Sequence, residues 1–127
     1  MFWGNPLRIP ESFSVRVSNL ANARQWYVEK LGFREGPKDI PDDSGSPFVA
    51  LQLREGEFIT LVEIPKPTEK VYGDVAPIFF ASNLAKAQRW LSDRGVATEP
   101  IEEDSGGNPL FHFQDLEGNR LEVCKEP

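Results

Sequence analysis

The chain has 127 residues, the length of one ordinary domain, so it can bury a core without disulfides or a structural metal. Its net charge of −6, from 20 acidic and 14 basic residues, makes nucleic acid and anionic membranes poor partners, because phosphate binding requires the opposite sign. One cysteine and one histidine exclude an internal disulfide and a multi-histidine metal site within one chain. No window is apolar over the ~20 residues of a membrane span, so we expect a cytoplasmic protein that binds neither nucleic acid nor membrane.

The first predicted elements are a strand and a helix. The segment "FSVRV" (13–17) alternates apolar and polar residues, as expected of a strand with one buried face. Asn19 is a favourable N-cap, and apolar residues then recur every three or four positions until Gly32 ends the helix. The residues predicted to be buried on these two elements are Phe13, Val15, Val17, Leu20, Ala23, Tyr27 and Leu31.

Two longer strands and a linker follow the helix. After a short strand and a loop of glycine, serine and proline, "FVALQL" (48–53) and "FITLVEI" (58–64) are joined by a glycine-bearing turn. The segment "PKPTEKVYGD" (65–74) is rich in proline and charge, which is typical of a linker. The residues before this linker therefore predict one β-α-β-β-β unit.

The same unit is predicted again after the linker. The segment "SNLANARQW" (18–26) matches "SNLAKAQRW" (82–90) at a constant offset of 64 residues. The second helix ends at Gly95, and two more strands, "LFHFQ" (110–114) and "RLEVC" (120–124), close the copy. Repeats of this length indicate a duplicated supersecondary unit.

We predict a single domain over residues 1–127 with an internal duplication. It consists of module one (10–64), the linker (65–74) and module two (75–127). Exposed sheet edges and the apolar segment "MFWGNPL" (1–7) favour association, so we expect a homodimer, with the two modules closing on each other within one chain or across the dimer.

The duplicated unit resembles the vicinal oxygen chelate superfamily. The resemblance covers about residues 12–125 and rests on "V-x-N-L" or its equivalent entering each helix, "LGF" leaving the first helix, and "D-x-x-G-N-x-L-E-V" (115–123) at the end. This superfamily contains glyoxalase I, extradiol dioxygenases, fosfomycin-modifying enzymes and bleomycin-binding resistance proteins. The resemblance implies an α+β fold in which two β-α-β-β-β modules form a curved mixed sheet around a concave ligand cavity, with the helices on the convex side.

The resemblance also identifies the positions that hold a divalent metal ion in the metal-dependent members. Counting along the motifs places these four positions at Ser12, Thr60, Ala76 and Glu122. Only Glu122 is a strong ligand, whereas a site for iron, zinc or nickel needs about three N, O or S donors. We therefore predict no metal or other cofactor. A register shift of one or two residues would offer Glu11 or Asp74, and a divalent metal ion remains the alternative.

Strand alternation predicts which side chains face the concave cavity. Apolar and aromatic residues with a few polar groups are the usual lining of a small-molecule pocket. The candidate ligand-binding residues are Arg16, Phe48, Gln52, Phe58, Thr60, Ile78, Phe80, His112 and Glu122.

His112 and Glu122 are the candidate catalytic residues. Alternation places both on one face of neighbouring strands, where a carboxylate orienting an imidazole would serve as a general acid/base pair. The simpler interpretation is a structural contact, in which Glu122 pairs with Arg16 or His112. We expect one of these two residues to hydrogen-bond Glu122.

These observations leave three functional hypotheses. The favoured one is a metal-independent member of the superfamily that binds a small antibiotic-like or aromatic molecule, similar in this respect to the bleomycin-binding resistance proteins. The alternative is a metal-dependent lyase, isomerase or dioxygenase with a degenerate metal site at Glu122. A third possibility is an interaction module with a vestigial cavity.

Overall fold

The computed structural model describes residues 4–36, 47–64 and 77–127. Several sequence predictions concern residues outside these ranges. They are the first three residues of the apolar N-terminal segment, the start of the first Gly/Ser/Pro loop, the linker (65–74), and the family position Ala76 with its alternative Asp74. The division into modules and linker accordingly stays a prediction.

Module one forms its own mixed sheet, with one helix. Its elements are β1 (Ser14–Val17), α1 (Leu20–Leu31), β2 (Arg34–Glu35), β3 (Phe48–Arg54) and β4 (Glu57–Glu63). The strand order in this sheet, sheet one, is β1-β4-β3-β2. β1 runs parallel to β4, whereas the other neighbours are antiparallel.

Module two repeats this arrangement. Its elements are β5 (Ile78–Ala81), α2 (Leu84–Asp93), β6 (Glu102–Glu103), β7 (Pro109–Gln114) and β8 (Arg120–Lys125). The strand order in sheet two is β5-β8-β7-β6, with β5 parallel to β8. The predicted α+β class and the doubled β-α-β-β-β unit are confirmed, and each module has a four-stranded sheet of its own. Among the residues that the structure describes, neither helix is long and apolar enough to cross a membrane.

Local signals set the helix boundaries in both modules. The Asn19 side chain accepts a hydrogen bond from the backbone N–H of Asn22 at 2.9 Å, and Asn83 accepts one from Lys86 at 3.0 Å. Each bond satisfies one of the N–H groups that the first turn of a helix leaves without a partner. Gly32 ends α1 in the left-handed conformation, with φ of 80°. The predicted caps Asn19 and Gly32 are thus confirmed, whereas α2 ends at Asp93 with Arg94 as its C-cap, one residue before the predicted Gly95.

One continuous core lies between the helices and the sheets and includes residues of both modules. Phe13, Val15 and Val17 are buried in it, as predicted from strand alternation. The rings of Phe13 and Phe79 meet edge to face with centroids 5.4 Å apart, which joins the core of module one to that of module two.

Two polar contacts also connect the modules. In the turn between β7 and β8, the buried carboxylate of Asp115 accepts a hydrogen bond from the Tyr27 hydroxyl on α1 at 2.7 Å. The N-terminal segment pairs with the edge of β5 through Arg8 and Phe80, and it is held to module one by Glu57. These contacts fix the position of sheet two, whose face away from the core carries the candidate site.

Candidate functional site

The β7–β8 hairpin positions the two candidate catalytic residues. Its turn is stabilised by Asp115 Oδ1, which accepts hydrogen bonds from the backbone N–H groups of Glu117 and Asn119 at 3.0 and 2.8 Å. Gly118 has φ of 81°, a conformation that glycine adopts without strain. The resulting register places His112 directly opposite Glu122.

The side chains of His112 and Glu122 form a hydrogen-bonded pair. His112 Nε2 lies 3.1 Å from Glu122 Oε1, and since a carboxylate only accepts, the ring nitrogen is the donor. The other ring nitrogen, Nδ1, lies 3.9 Å from Glu102 Oε1 on β6. The two side chains of the pair remain 15% and 28% exposed, so a small molecule has access to them.

Cys124 completes the polar group around Glu122. Its thiol donates to Glu122 Oε2 at 3.0 Å, so each carboxylate oxygen accepts one hydrogen bond from a neighbouring side chain. Burial raises the pKa of the Cys124 thiol to about 12, and the hydrogen bond and charge of Glu122 act in the same direction. At neutral pH the sulfur is therefore a protonated thiol and not a nucleophile or thiolate ligand.

These residues lie on one face of sheet two, which we call the site face. It points away from the core and includes Ile78, Phe80, His112, Glu122 and Cys124. Ile78 is the β5 neighbour of Glu122, and Phe80 is that of Cys124. The face therefore combines a carboxylate with adjoining apolar surface.

Among the three family positions that the structure describes, Ser12, Thr60 and Glu122, only Glu122 is a strong metal ligand. Thr60 N–H donates to the Phe13 carbonyl at 3.0 Å, and Glu122 N–H donates to the Pro77 carbonyl at 3.1 Å. The β1 neighbour of Thr60 is therefore Ser14, and the family positions 12 and 60 both carry hydroxyl side chains. Within 4–36, 47–64 and 77–127, no group of three or more His, Cys, Asp or Glu side chains is arranged to hold a metal ion. The donors present do not fit the divalent ion of the metal-dependent members.

The remaining predicted ligand residues are divided between the two sheets. Ile78 and Phe80 lie on the site face, whereas the corresponding group in sheet one consists of Phe48, Gln52, Phe58 and Thr60. Gln52 donates through Nε2 to the Arg54 carbonyl at 3.1 Å.

Of the two predicted partners of Glu122, His112 is the observed one. Arg16 is exposed, and its carbonyl accepts a hydrogen bond from Asn119 Nδ2 at 3.2 Å. In the described part of the chain, no hydrogen bond or ion pair joins Arg16 to Glu122.

Sequence reasoning missed two contributors to the site. Strand alternation along β8 puts Cys124 on the same face as Glu122, so its position was predictable from the sequence, but its role as a hydrogen-bond donor was not inferred. No sequence pattern indicated Glu102, because its approach to His112 depends on how β6 pairs with β7. Arg120, two residues before Glu122 on β8, donates two hydrogen bonds to the Glu99 carboxylate, at 2.8 and 2.7 Å.

Two sequence comparisons identify related proteins. The model of the Glyoxalase/Bleomycin resistance protein/Dioxygenase superfamily matches residues 10–123. The chain is also 30% identical over 105 residues to "Uncharacterized protein YwkD" of Bacillus subtilis (strain 168), covering 79% of this chain and 82% of that protein.

Solved structures share the fold at lower identity. An integron cassette protein from the mobile metagenome of Halifax Harbour Sewage Outfall has a TM-score of 0.70 and 22% identity, covering 91% of this chain and 96% of that one. A superfamily member from Sphaerobacter thermophilus has a TM-score of 0.67 and 22% identity, covering 91% and 95%. A glyoxalase family protein from Enterococcus faecalis has a TM-score of 0.67 and 21% identity, covering 87% and 92%. The chain belongs to the Glyoxalase/Bleomycin resistance protein/Dioxygenase superfamily.

Proposed function

We propose that this chain is a metal-independent member of the superfamily that binds a small amphipathic molecule on the site face. The main support is the accessible Glu122 carboxylate, which His112 and Cys124 hold in place through one hydrogen bond to each oxygen. The hydroxyl residues at positions 12 and 60 support metal independence, because neither is a strong ligand for a first-row ion.

The chemistry of Glu122 defines the kind of ligand that would bind. Each carboxylate oxygen accepts more than one hydrogen bond, so Glu122 retains acceptor capacity beside its two protein donors. A ligand N–H or ammonium group would form a charge-assisted hydrogen bond worth about 1.5–3 kcal/mol. The adjoining Ile78 and Phe80 would cover an apolar ring. The proposed ligand is therefore an aromatic or other apolar ring that carries a donor or positive charge.

Calorimetric titration of the full chain with aromatic amines, starting with benzylamine, tests this proposal. Glu122→Gln should weaken binding by about tenfold, since the substitution removes the charge and leaves the shape nearly unchanged. Glu103→Gln is the matched control, because Glu103 is an exposed residue of β6 and should leave affinity unchanged. Equal affinities for the parent chain and Glu122→Gln, or no binding at all, would refute the proposal.

The His112–Glu122 pair favours one alternative, an enzyme that uses these residues as an acid/base pair. Its support is the 3.1 Å contact and the accessibility of both side chains. The lyase, isomerase or dioxygenase hypothesis further requires a metal, and metal analysis of protein purified without chelator tests it. Stoichiometric metal that is lost in Glu122→Gln would replace the binding proposal with this alternative.

We also propose that the chain forms a homodimer. Phe48, Phe58 and Val62 lie partly exposed on the face of sheet one that corresponds to the site face, and apolar surface of this kind favours association. Sedimentation at micromolar concentration should give the mass of two chains. A single-chain mass would refute the dimer without affecting the binding proposal.

A further inference from the structure

A groove of about 240 Å³ lies where the N-terminal segment, β5 and the end of β8 meet. Its lining residues are Arg8, Ile9, Pro10, Phe80, Glu126 and Pro127. The backbones of Arg8 and Phe80 exchange two hydrogen bonds of 2.7 Å, and Glu126 N–H donates to the Ala81 carbonyl at 3.0 Å. Because backbone bonds hold these walls together, a ligand would meet a preformed groove and would not have to order it.

The groove is continuous with the site face through Phe80. In the sheet, Ile78 lies beside Glu122 and Phe80 lies beside Cys124, while Arg8 pairs with the outer edge of β5 at Phe80. Neighbouring strands are about 4.8 Å apart, and residues on the same face of a strand are about 7 Å apart. Glu122 and the Phe80 wall of the groove are therefore separated by roughly 8 Å along one surface.

The size of the groove indicates what part of a ligand it would take. A cavity of about 150 Å³ holds one benzene molecule, whereas complete sites for drug-sized ligands measure about 300–1,000 Å³. At about 240 Å³, this groove has room for one ring with a small substituent. It therefore fits part of a larger ligand better than a complete one.

The charged side chains of the groove add chemical selectivity. Arg8 is held by Glu57, which accepts from Nε at 2.9 Å and lies 2.8 Å from Nη2. A guanidinium has five N–H donors, so the Arg8 side chain, which is 52% exposed, retains donors for a ligand acceptor. Phe80 offers an apolar ring beside this cation. Glu126 also lines the groove, and its negative charge acts on Arg8 and opposes an anionic ligand group. The groove thus suits a ring that carries a neutral acceptor such as a carbonyl group.

We propose that this groove is a second subsite of the ligand site, so that the ligand is elongated, with a donor at Glu122, a ring against Phe80 and an acceptor group directed to Arg8. The inference rests on the proposed function, because it takes Glu122 as the first anchor. It adds the length of the ligand and the polarity of its two ends.

Two probes of different length test the second subsite on the full chain. Benzylamine carries one ring and an amine, and aminomethyl-biphenyl-carboxamide carries two rings with the amine and the amide carbonyl at opposite ends. In calorimetric titrations the longer probe should bind at least about tenfold more tightly. Phe80→Ala should remove this advantage, and Phe80→Leu, which keeps more of the apolar volume, should reduce it. Leu116→Ala, at an exposed apolar residue of the turn between β7 and β8, is the control and should preserve it.

The outcomes separate the subsite from the proposed function. If both probes lose affinity in Glu122→Gln but the longer one has no advantage, or keeps its advantage in folded Phe80→Ala and Phe80→Leu, the second subsite is refuted and the proposed function stands. If neither probe binds, or if Glu122→Gln changes neither affinity, both proposals are refuted. Thermal melting of each variant establishes that it is folded.

Discussion

The two modules share a backbone plan but differ in the chemistry of equivalent faces. In module one, Ala50 lies opposite Thr60 across the β3–β4 hairpin. In module two, His112 lies opposite Glu122 across the β7–β8 hairpin, at the same place in the unit. Duplication has therefore kept the strand register, while only the second copy carries an ionisable pair at this place.

The next pair along the hairpins shows the same difference. Val62 of module one corresponds to Cys124 of module two, and Cys124 donates to Glu122 while Val62 has no polar group to donate. The register alone thus does not create a site, because the same geometry in module one presents alanine, threonine and valine. Both modules therefore supply the same backbone scaffold, but only module two carries the candidate chemistry.

The largest expected effect concerns the reactivity of Cys124. With the pKa of its thiol raised to about 12, the thiolate fraction at pH 8 falls about a hundredfold to a thousandfold below that of an ordinary thiol. Iodoacetamide should accordingly label the folded chain much more slowly than the urea-unfolded chain, as followed by mass spectrometry. Val62→Cys in a Cys124→Ser background is the comparison, since that thiol lies at the equivalent place without a carboxylate and should react faster. Equal labelling rates for the thiols at positions 62 and 124 of the folded chains would contradict the proposed difference between the two sheet faces.

The next effect concerns the contact that module two makes with module one through Asp115. Asp115→Ala should lower the free energy of unfolding by about 3 kcal/mol, because the Tyr27 hydroxyl and the turn N–H groups lose a buried acceptor. Urea denaturation measures this change. Asp93→Ala, at the exposed end of α2, is the control and should change stability little. A loss as small as that of the control would mean that the contact contributes nothing to joining the modules.

The second polar contact that connects the modules is made by Glu57 of module one, which binds the N-terminal segment that pairs with β5. Burial acts to raise the pKa of this carboxyl, but hydrogen bonds from Arg8 and the Ile9 N–H, with the charges of Arg8 and Arg54, outweigh it and lower the pKa. Because the folded pKa is below the unfolded one, the stabilisation is complete above the unfolded pKa and is lost as pH falls through the folded pKa.

Glu57→Gln should therefore cost about 2 kcal/mol at pH 7, and this cost should shrink as the pH is lowered into the acid range where Glu57 itself becomes protonated. Urea denaturation at several pH values measures the difference. Glu55→Gln, at the exposed neighbouring turn position, should have no such pH-dependent effect. A cost that stays constant down to the lowest pH would contradict the role of the Glu57 charge.

The smallest expected effect is that of metal removal. Treatment with a chelator should leave the melting temperature unchanged, and added nickel, zinc, iron or manganese should not raise it. This follows from the hydroxyl side chains at positions 12 and 60, which leave Glu122 without the ligands that a first-row ion needs. A rise in melting temperature with one of these ions that is lost in Glu122→Gln would contradict this prediction and show that Glu122 belongs to a metal site.

Local patterns in the sequence predicted most of the fold. Strand alternation identified Phe13, Val15 and Val17 as core residues, and Asn19 and Gly32 marked the ends of α1. These signals act over a few residues, so a single sequence contains them, and the duplication presented each of them twice. The pairing of Arg8 with Phe80 was not predictable, because the two residues are far apart in sequence and Arg8 has the pattern of an ordinary surface residue.

The candidate site was predictable to the extent that one hairpin forms it. The Gly118–Asn119 turn fixes the register that brings His112 opposite Glu122, so alternation was sufficient to pair them. Glu102 was missed because a loop of several residues separates β6 from β7 and leaves their register open. The choice between Arg16 and His112 as the partner of Glu122 likewise depended on how the two modules pack together.

The most direct test of the account is to map a bound amine onto the two modules. Benzylamine titrated into the ¹⁵N-labelled full chain and followed by amide chemical shifts should perturb the residues of the site face, above all His112, Glu122 and Ile78. The equivalent residues of module one, Ala50 and Thr60, should move little. Perturbations centred on Ala50 and Thr60, or equal in both modules, would contradict the conclusion that the ligand site lies in module two.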